Sequence, residues 1–297
     1  MRLSTGRLYD FGLLLQFLSR WSTPVLDIVA GDAFRRVLSL PGGPSLVEVK
    51  QAGPAHAPEL AVSVLSVGGA VDSAELQRRI RHVLALDEPL EPFWQWARTH
   101  AELWPVLSAV EGLPLPRTET LFEGLVCAVI EQQIAWTAAQ RAQRTLCEWG
   151  GAGLEYEGRM YHAMPSPERL AGANPSELKA LKITDRRVGV LIGIAGDIAS
   201  GRFDPLVFAD LPHAERYAGL MRIKGVGHWT AVVALSRAFG TAPEVASNDV
   251  ALRAAVKRYL PHYAAEADPI GAAFSGCGEY AGLAATYLLS RYVFDKY

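Results

Sequence analysis

Two glycines one residue apart, Gly225 and Gly227, separate apolar-periodic segments in ERYAGLMRIKGVGHWTAVVALSRAFGTAPEVASND, residues 215–249. The pattern predicts a helix, a tight hairpin and a second helix. Positions without a Cβ reach φ > 0 and let successive N–H groups face an anion. A helix that begins there adds the positive end of its dipole. A nucleic-acid phosphate fits such a cradle. A plain αα-turn uses the same glycines, and on their own they leave both readings open. Asp249 follows the second helix across an exposed connection, which would bring an acid to the same surface.

The chain has 297 residues, enough for two or three domains and a substantial core. Its 50% apolar and 20% charged residues are ordinary for a soluble protein. No apolar run approaches the roughly 18–20 residues of a membrane span. The N-terminal MRLSTGRLYDFGLLLQFLSRW lacks a clear small-residue cleavage site, and its leucines lie on one helix face. It reads as mature sequence of a cytoplasmic, monomeric protein. Cys127, Cys147 and Cys277 are far apart, with neither disulfide nor zinc nor iron–sulfur spacing. They are expected to be buried, inert thiols. The net charge of −2 argues against a protein that coats nucleic acid, which needs many Lys and Arg contacts. It leaves room for a small local footprint. Arg141, Arg144, Lys179, Lys182, Arg186, Arg187, Arg222 and Lys224 lie mostly in the central half and read first as solvated helix faces.

Residues 1–92 differ in texture from the rest. FRRVLSL, SLVEVKQ and ELAVSVLSVGG are short, Val/Leu-rich and bounded by turns such as PGGP, so they read as antiparallel strands. Helices over residues 10–20 and 73–86 complete a small α+β domain. From residue 93 to 297 the periodicity is helical, in PFWQWARTHAELWPVLSAV, TLFEGLVCAVIEQQIAWTAAQRAQRTLCEWG and SELKALKITDRRVGVLIGIAGDIASG. Ser166-Pro167-Glu168 and Asn174-Pro175-Ser176-Glu177 are helix-start signals, and Gly150, Gly201 and Gly240 are suitable stops. The expected fold class is therefore α+β, a small antiparallel sheet with helices, followed by a mostly helical core.

Asp249 sits in Ser247-Asn248-Asp249-Val250 ahead of an apolar helix, so it is an N-cap candidate. A capping carboxylate is held in place, and one beside a sugar can stabilise an oxocarbenium-like transition state or orient water. Glu131-Gln132-Gln133-Ile134 lies in an apolar helical run. Such glutamines are either hydrogen-bonded core residues or, at a helix end, groups that enter a base stack where a nucleotide has left.

Together these residues resemble the helix–hairpin–helix DNA glycosylase superfamily, and within it the 3-methyladenine DNA glycosylase II branch. The matching segments are Gly225-Val226-Gly227 with Trp229-Thr230-Ala231 and Asp249, Phe122-Glu123 with Gln132-Gln133, Pro165-Ser166-Pro167-Glu168 with Leu170, and Tyr9-Asp10-Phe11 with Phe17-Leu18. The resemblance implies two helical lobes around a cleft with the hairpin at 223–228. It implies that Asp249 is the catalytic carboxylate and Gln133 the DNA wedge. Trp229, Phe17, Trp136 and Tyr287 would line a base pocket, and Gly225, Gly227, His228 and Thr230 would meet DNA phosphate. Backbone carbonyls of Met221, Ile223 and Val226 would hold a structural Na+ or K+, with no cofactor otherwise required. The partner is double-stranded DNA containing damaged bases, with neither membrane nor obligate protein partner.

Lyase-competent relatives carry a Lys two residues after the second hairpin glycine; here that position is Trp229. The implied reaction is thus monofunctional hydrolysis at alkylated purines in base excision repair. The competing readings are a non-catalytic helix–hairpin–helix DNA-binding protein and a glycosylase for oxidised or deaminated bases. Three positions depart from the family pattern. Glu131 puts an acid near where DNA is expected, Trp136 is unusual beside the wedge, and the last helix has Tyr287 and Tyr292 but no Trp.

Overall fold

A computed structural model describes residues 1–21, 25–53, 58–240 and 243–296. The N-terminal third holds β1 (Arg2–Ser4), α1 (Phe11–Trp21), β2 (Ile28–Ala30), β3 (Ala33–Leu40), β4 (Gly43–Ala52), β5 (Glu59–Val67) and α2 (Ser73–Val83). These strands form one antiparallel sheet in the order β1-β5-β4-β3-β2. In β3 the side chains of Phe34, Leu38 and Leu40 pack with Leu14, Leu18, Leu76 and Ile80, which closes α1 and α2 over the sheet. Asp72 caps α2 by accepting from the Ala74 N–H, so the helix starts at the residue its sequence dictates.

The helical part continues with α3 (Glu91–Thr99), α4 (Trp104–Leu107), α5 (Leu121–Glu131) and α6 (Trp136–Gly150). A hairpin, β6 (Gly153–Tyr156) and β7 (Arg159–His162), interrupts the helices, and α7 (Pro167–Ala171), α8 (Asp185–Ala199) and α9 (Pro205–Ala209) follow. The chain closes with α10 (His213–Met221), α11 (His228–Phe239), α12 (Val250–Tyr259), α13 (Pro269–Phe274) and α14 (Ala281–Lys296). Two helical cores result. One joins α5, α6, α8 and α11; the other joins α3 and α4 to α12, α13 and α14.

The architecture is the expected one, a small antiparallel sheet followed by a mostly helical core. Three local readings change. The helical run from Leu121 breaks at Gln132, and Gln133 takes φ +50 before α6 begins. The run from Ser176 is a 3-10 turn that ends on Lys182 at φ +54, and α8 restarts under a Thr184 cap. The β6–β7 hairpin packs on the sheet through Leu154 and Tyr161, which cover Ile28, Val37 and Leu46. Among the described residues all three cysteines are free and buried.

Residues that join the sheet to the helices are charged and buried. The Arg36 guanidinium of β3, 1% exposed, pairs with Glu123 of α5 and with Asp27. Burial pushes the Glu123 carboxyl up to about 7 against the pull of Arg36. Glu119 accepts the Ser39 N–H at 2.8 Å across the same seam.

Candidate active site

The hairpin between α10 and α11 is built as its sequence requires. Gly225 has φ +92, and a Cβ there would lie 2.3 Å from Val190 Cγ2 of α8. Both observations demand glycine. Gly227 differs: it is the extended N-cap of α11, exposed, with open space where a Cβ would be. No side chain caps α11, so its first N–H groups are offered outward beside that open position.

Asp249 is the N-cap of α12 and is half-buried. Its Oδ1 accepts the Leu252 N–H at 2.8 Å, and its Oδ2 accepts the Trp229 indole N–H at 2.8 Å. Both carboxylate oxygens thus carry a fixed donor, one from its own helix and one from α11. The capping reading and the chemical reading of Asp249 are compatible, because the cap uses only Oδ1. Since the indole N–H is occupied, any contact of Trp229 with a base falls to its ring faces.

The Gln132-Gln133 pair divides its labour. Gln132 is the C-cap of α5 and donates through Nε2 to the Gly225 carbonyl at 3.0 Å and to Thr230 Oγ1 at 2.9 Å. Gln133 is exposed and lies in left-handed backbone, a conformation that costs a non-glycine residue about 1–2 kcal/mol. The tertiary bonds of its neighbour hold it there. Trp136 opens α6 three residues on, half-buried.

Several expected site residues are placed elsewhere. Tyr287 is 0% exposed, stacked on Phe93, with its hydroxyl donated to the Leu113 carbonyl at 2.9 Å. It belongs to a packed core, not to an open pocket wall. Phe17 is also a core residue, because the apolar face of α1 packs on α14 and sets its ring 6.0 Å from Phe294. The Thr230 hydroxyl is buried and occupied by Gln132, which leaves only its backbone for phosphate. The His228 ring faces inward: Nδ1 lies 2.8 Å from the Tyr217 hydroxyl and Nε2 2.9 Å from the Val245 carbonyl. Glu131 presents no acid to solvent. It holds Arg237 through two bonds of 2.7 and 2.8 Å and accepts from Gln143 at 2.8 Å. Arg187 is buried, while Arg141, Arg144, Lys179, Lys182, Arg186, Arg222 and Lys224 are exposed. Of the hairpin carbonyls, that of Ile223 accepts the Val226 N–H at 3.0 Å. A cavity of about 200 Å³ beside Tyr9, Leu90 and Gly112 is lined by neither Asp249 nor the hairpin.

The arrangement therefore brings Gln133, the glycine hairpin and Asp249 onto one framework through Gln132, His228 and Trp229. Sequence reading missed His213, Tyr217 and Arg237, whose partners are distant in the chain and leave no local signal.

An open glycine, an exposed glutamine in left-handed backbone and a carboxylate held at both oxygens thus stand on one helical framework. Residues 1–119 of the chain match the AlkA N-terminal domain. The chain is 25% identical over 253 residues to a DNA-3-methyladenine glycosylase of Bacillus subtilis, covering 84% of this chain and 82% of that one. It is 28% identical over 260 residues to a probable bifunctional transcriptional activator/DNA repair enzyme AlkA of Mycobacterium tuberculosis. That match takes in 87% of this chain and 50% of the mycobacterial protein, so the chain spans about half of that relative. In fold it is similar to the 3-methyladenine DNA-glycosylase from Archaeoglobus fulgidus, with TM-score 0.82 and 20% identity. The likeness covers 100% of this chain and 99% of that chain.

Proposed function

We propose that this protein is a monofunctional DNA glycosylase of base excision repair that hydrolyses the N-glycosidic bond of alkylated purines in double-stranded DNA. The observation that carries the reading is the doubly held Asp249 carboxylate, bonded to Leu252 and to Trp229, which stands two residues after an open glycine. The relatives named above as 3-methyladenine glycosylases support it.

Phosphate binds the backbone of Gly225, Gly227, His228 and Thr230. The carbonyls of Met221, Ile223 and Val226 would hold Na+ or K+, whose charge would assist at that phosphate. Gln133 enters the stack as the damaged nucleotide swings out, which offsets part of the unstacking cost of a few kcal/mol. Alkylated purines such as 3-methyladenine and 7-methylguanine are cationic, and an aromatic face attracts them by about 0.5–2 kcal/mol. Trp229 supplies that face, with Trp136 beside the wedge. As the base leaves, positive charge develops on the sugar, and the preorganised Asp249 carboxylate stabilises it until water adds. No lysine stands at position 229 to form a Schiff base, so no strand is cut. No helix among the described residues is long and apolar enough to cross a membrane, and we take the site of action to be the cytoplasm.

The test is a duplex bearing one 7-methylguanine, incubated at defined salt and analysed with and without hot alkali. Alkali-dependent nicks are expected. Intact strands would leave a binding module only, and nicks without alkali would mean a lyase. Asp249→Asn is expected to lower release about 10²-fold or more with DNA affinity retained; unchanged release removes Asp249 from the reaction.

A further inference from the structure

We propose that the His228 side chain is a positioning group for Asp249, acting through the turn that carries the acid and through no contact of its ring with DNA. The proposal rests on the reading of the chain as a base-releasing enzyme. His228 is the first residue of α11, directly after the open Gly227. Its Nε2 meets the Val245 carbonyl, which only accepts, so Nε2 carries the proton. In the neutral ring Nδ1 then accepts from the Tyr217 hydroxyl of α10.

Val245 begins the turn that ends on Asp249. The Ser247 N–H donates to the Val245 carbonyl at 2.8 Å and the Asp249 N–H donates to the Ala246 carbonyl at 2.9 Å. One residue earlier, Glu244 pairs with His213 of α10. The turn is thus tied at Glu244, Val245 and Asp249, and every tie runs to α10 or α11. Those are the two helices of the phosphate-gripping hairpin. His228 therefore sets the reach from the gripped phosphate to the acid: its backbone lies at the grip, and its ring holds the turn that ends on the carboxylate.

The full-length chain is tested as His228→Ala, His228→Phe and His228→Gln. The first reading needs no DNA: the ¹H–¹⁵N indole resonance of Trp229, assigned with Trp229→Phe, with Asp249→Ala marking its position when the bond is absent. The second is single-turnover release of 7-methylguanine beside the Kd for the same duplex. His228→Ala is expected to move the indole resonance toward the Asp249→Ala position. It is also expected to slow release about tenfold or more, the scale of a small misplacement of a reacting group, with Kd changed less than about threefold. His228→Gln, whose Nε2 donor stands where the imidazole Nε2 stood, restores both. His228→Phe fills the space without a donor and carries the test if the alanine variant unfolds. An unmoved resonance with an unchanged rate, a glutamine that restores neither, or a Kd that weakens in step with the rate overturns the proposal. If wild type releases no base, the functional reading fails, and the indole resonance still decides whether His228 holds the turn.

Discussion

Gly225→Ala would place a Cβ 2.3 Å from Val190 Cγ2 on backbone at φ +92. Either α8 or the hairpin must move, and a loss of about 2–4 kcal/mol in urea unfolding is expected. Gly227→Ala meets open space at ordinary φ and gives up only an N-cap preference, about 1 kcal/mol. Its cost appears instead in DNA affinity, because the new methyl stands where a phosphate must approach. A binding titration that found Gly227→Ala as tight as wild type would remove phosphate from this hairpin. Gln133→Gly tests the wedge from the opposite side. Relief of left-handed strain is expected to stabilise the protein by about 1 kcal/mol while base release falls, so stability and activity separate.

Among the elements, α11 carries the candidate site, and its stability depends on an ion pair of a half-buried Arg237 with a buried Glu131. Arg237 lies in the last turn of α11 and Glu131 in the last turn of α5, joined by two hydrogen bonds. Glu131→Gln leaves the half-buried guanidinium without its counter-charge, and a loss of about 1–3 kcal/mol by denaturant unfolding is expected. On α2, His82 shows the effect of burial on titration. Burial, and then the nearby Arg117, hold its pKa down at about 4. A histidine depressed in the folded state contributes stability above its unfolded value, near 6.5, and that contribution is lost as pH falls toward 4. Unfolding free energies measured across that window should decline with acid, and His82→Gln should flatten the decline. The sequence carried the starts of α2 and α7 and the sheet strands well, because Asp72 and Ser166 cap where local chemistry says they should, but it ran past the fresh start under Thr184. It hid the break at Gln132, since nothing in EQQIAW is a helix breaker; the break comes from bonds to Gly225 and Thr230, far away in the chain. That Asp249 would come to the surface of the glycine hairpin was an expectation from the sequence, and its bond to Trp229 places it beside the start of α11. The inward turn of the His228 ring was not legible there, because Tyr217 and Val245 reach it only after folding. Tyr287 was assigned to a pocket by the resemblance, and the structure instead stacks it on Phe93 in a packed core, a contact that no local pattern announces.

At the scale of the whole molecule, the sheet is joined to the helices by more than a linker. Phe17 of α1 packs in the core of the C-terminal helices, and Arg36 of β3 pairs with Glu123 of α5. Removing residues 1–92 would open the first and leave Glu123 buried beside no cation. The truncated chain is expected to lack cooperative thermal unfolding, as followed by circular dichroism. A folded fragment would show that the boundary near residue 92 is a true one. The seam also continues into the segment that enters α5, where the Thr118 N–H donates to the Arg237 carbonyl at 2.8 Å. One helix, α11, therefore receives the sheet seam at its end, the wedge through Thr230, the acid through Trp229 and the acid's turn through His228. On the proposed function, gripping, prying and bond breaking would share a single mechanical mount. Single side chains on that mount can be altered one at a time, but a displacement of the whole helix should disable all three operations together, as an arch fails when its keystone slips.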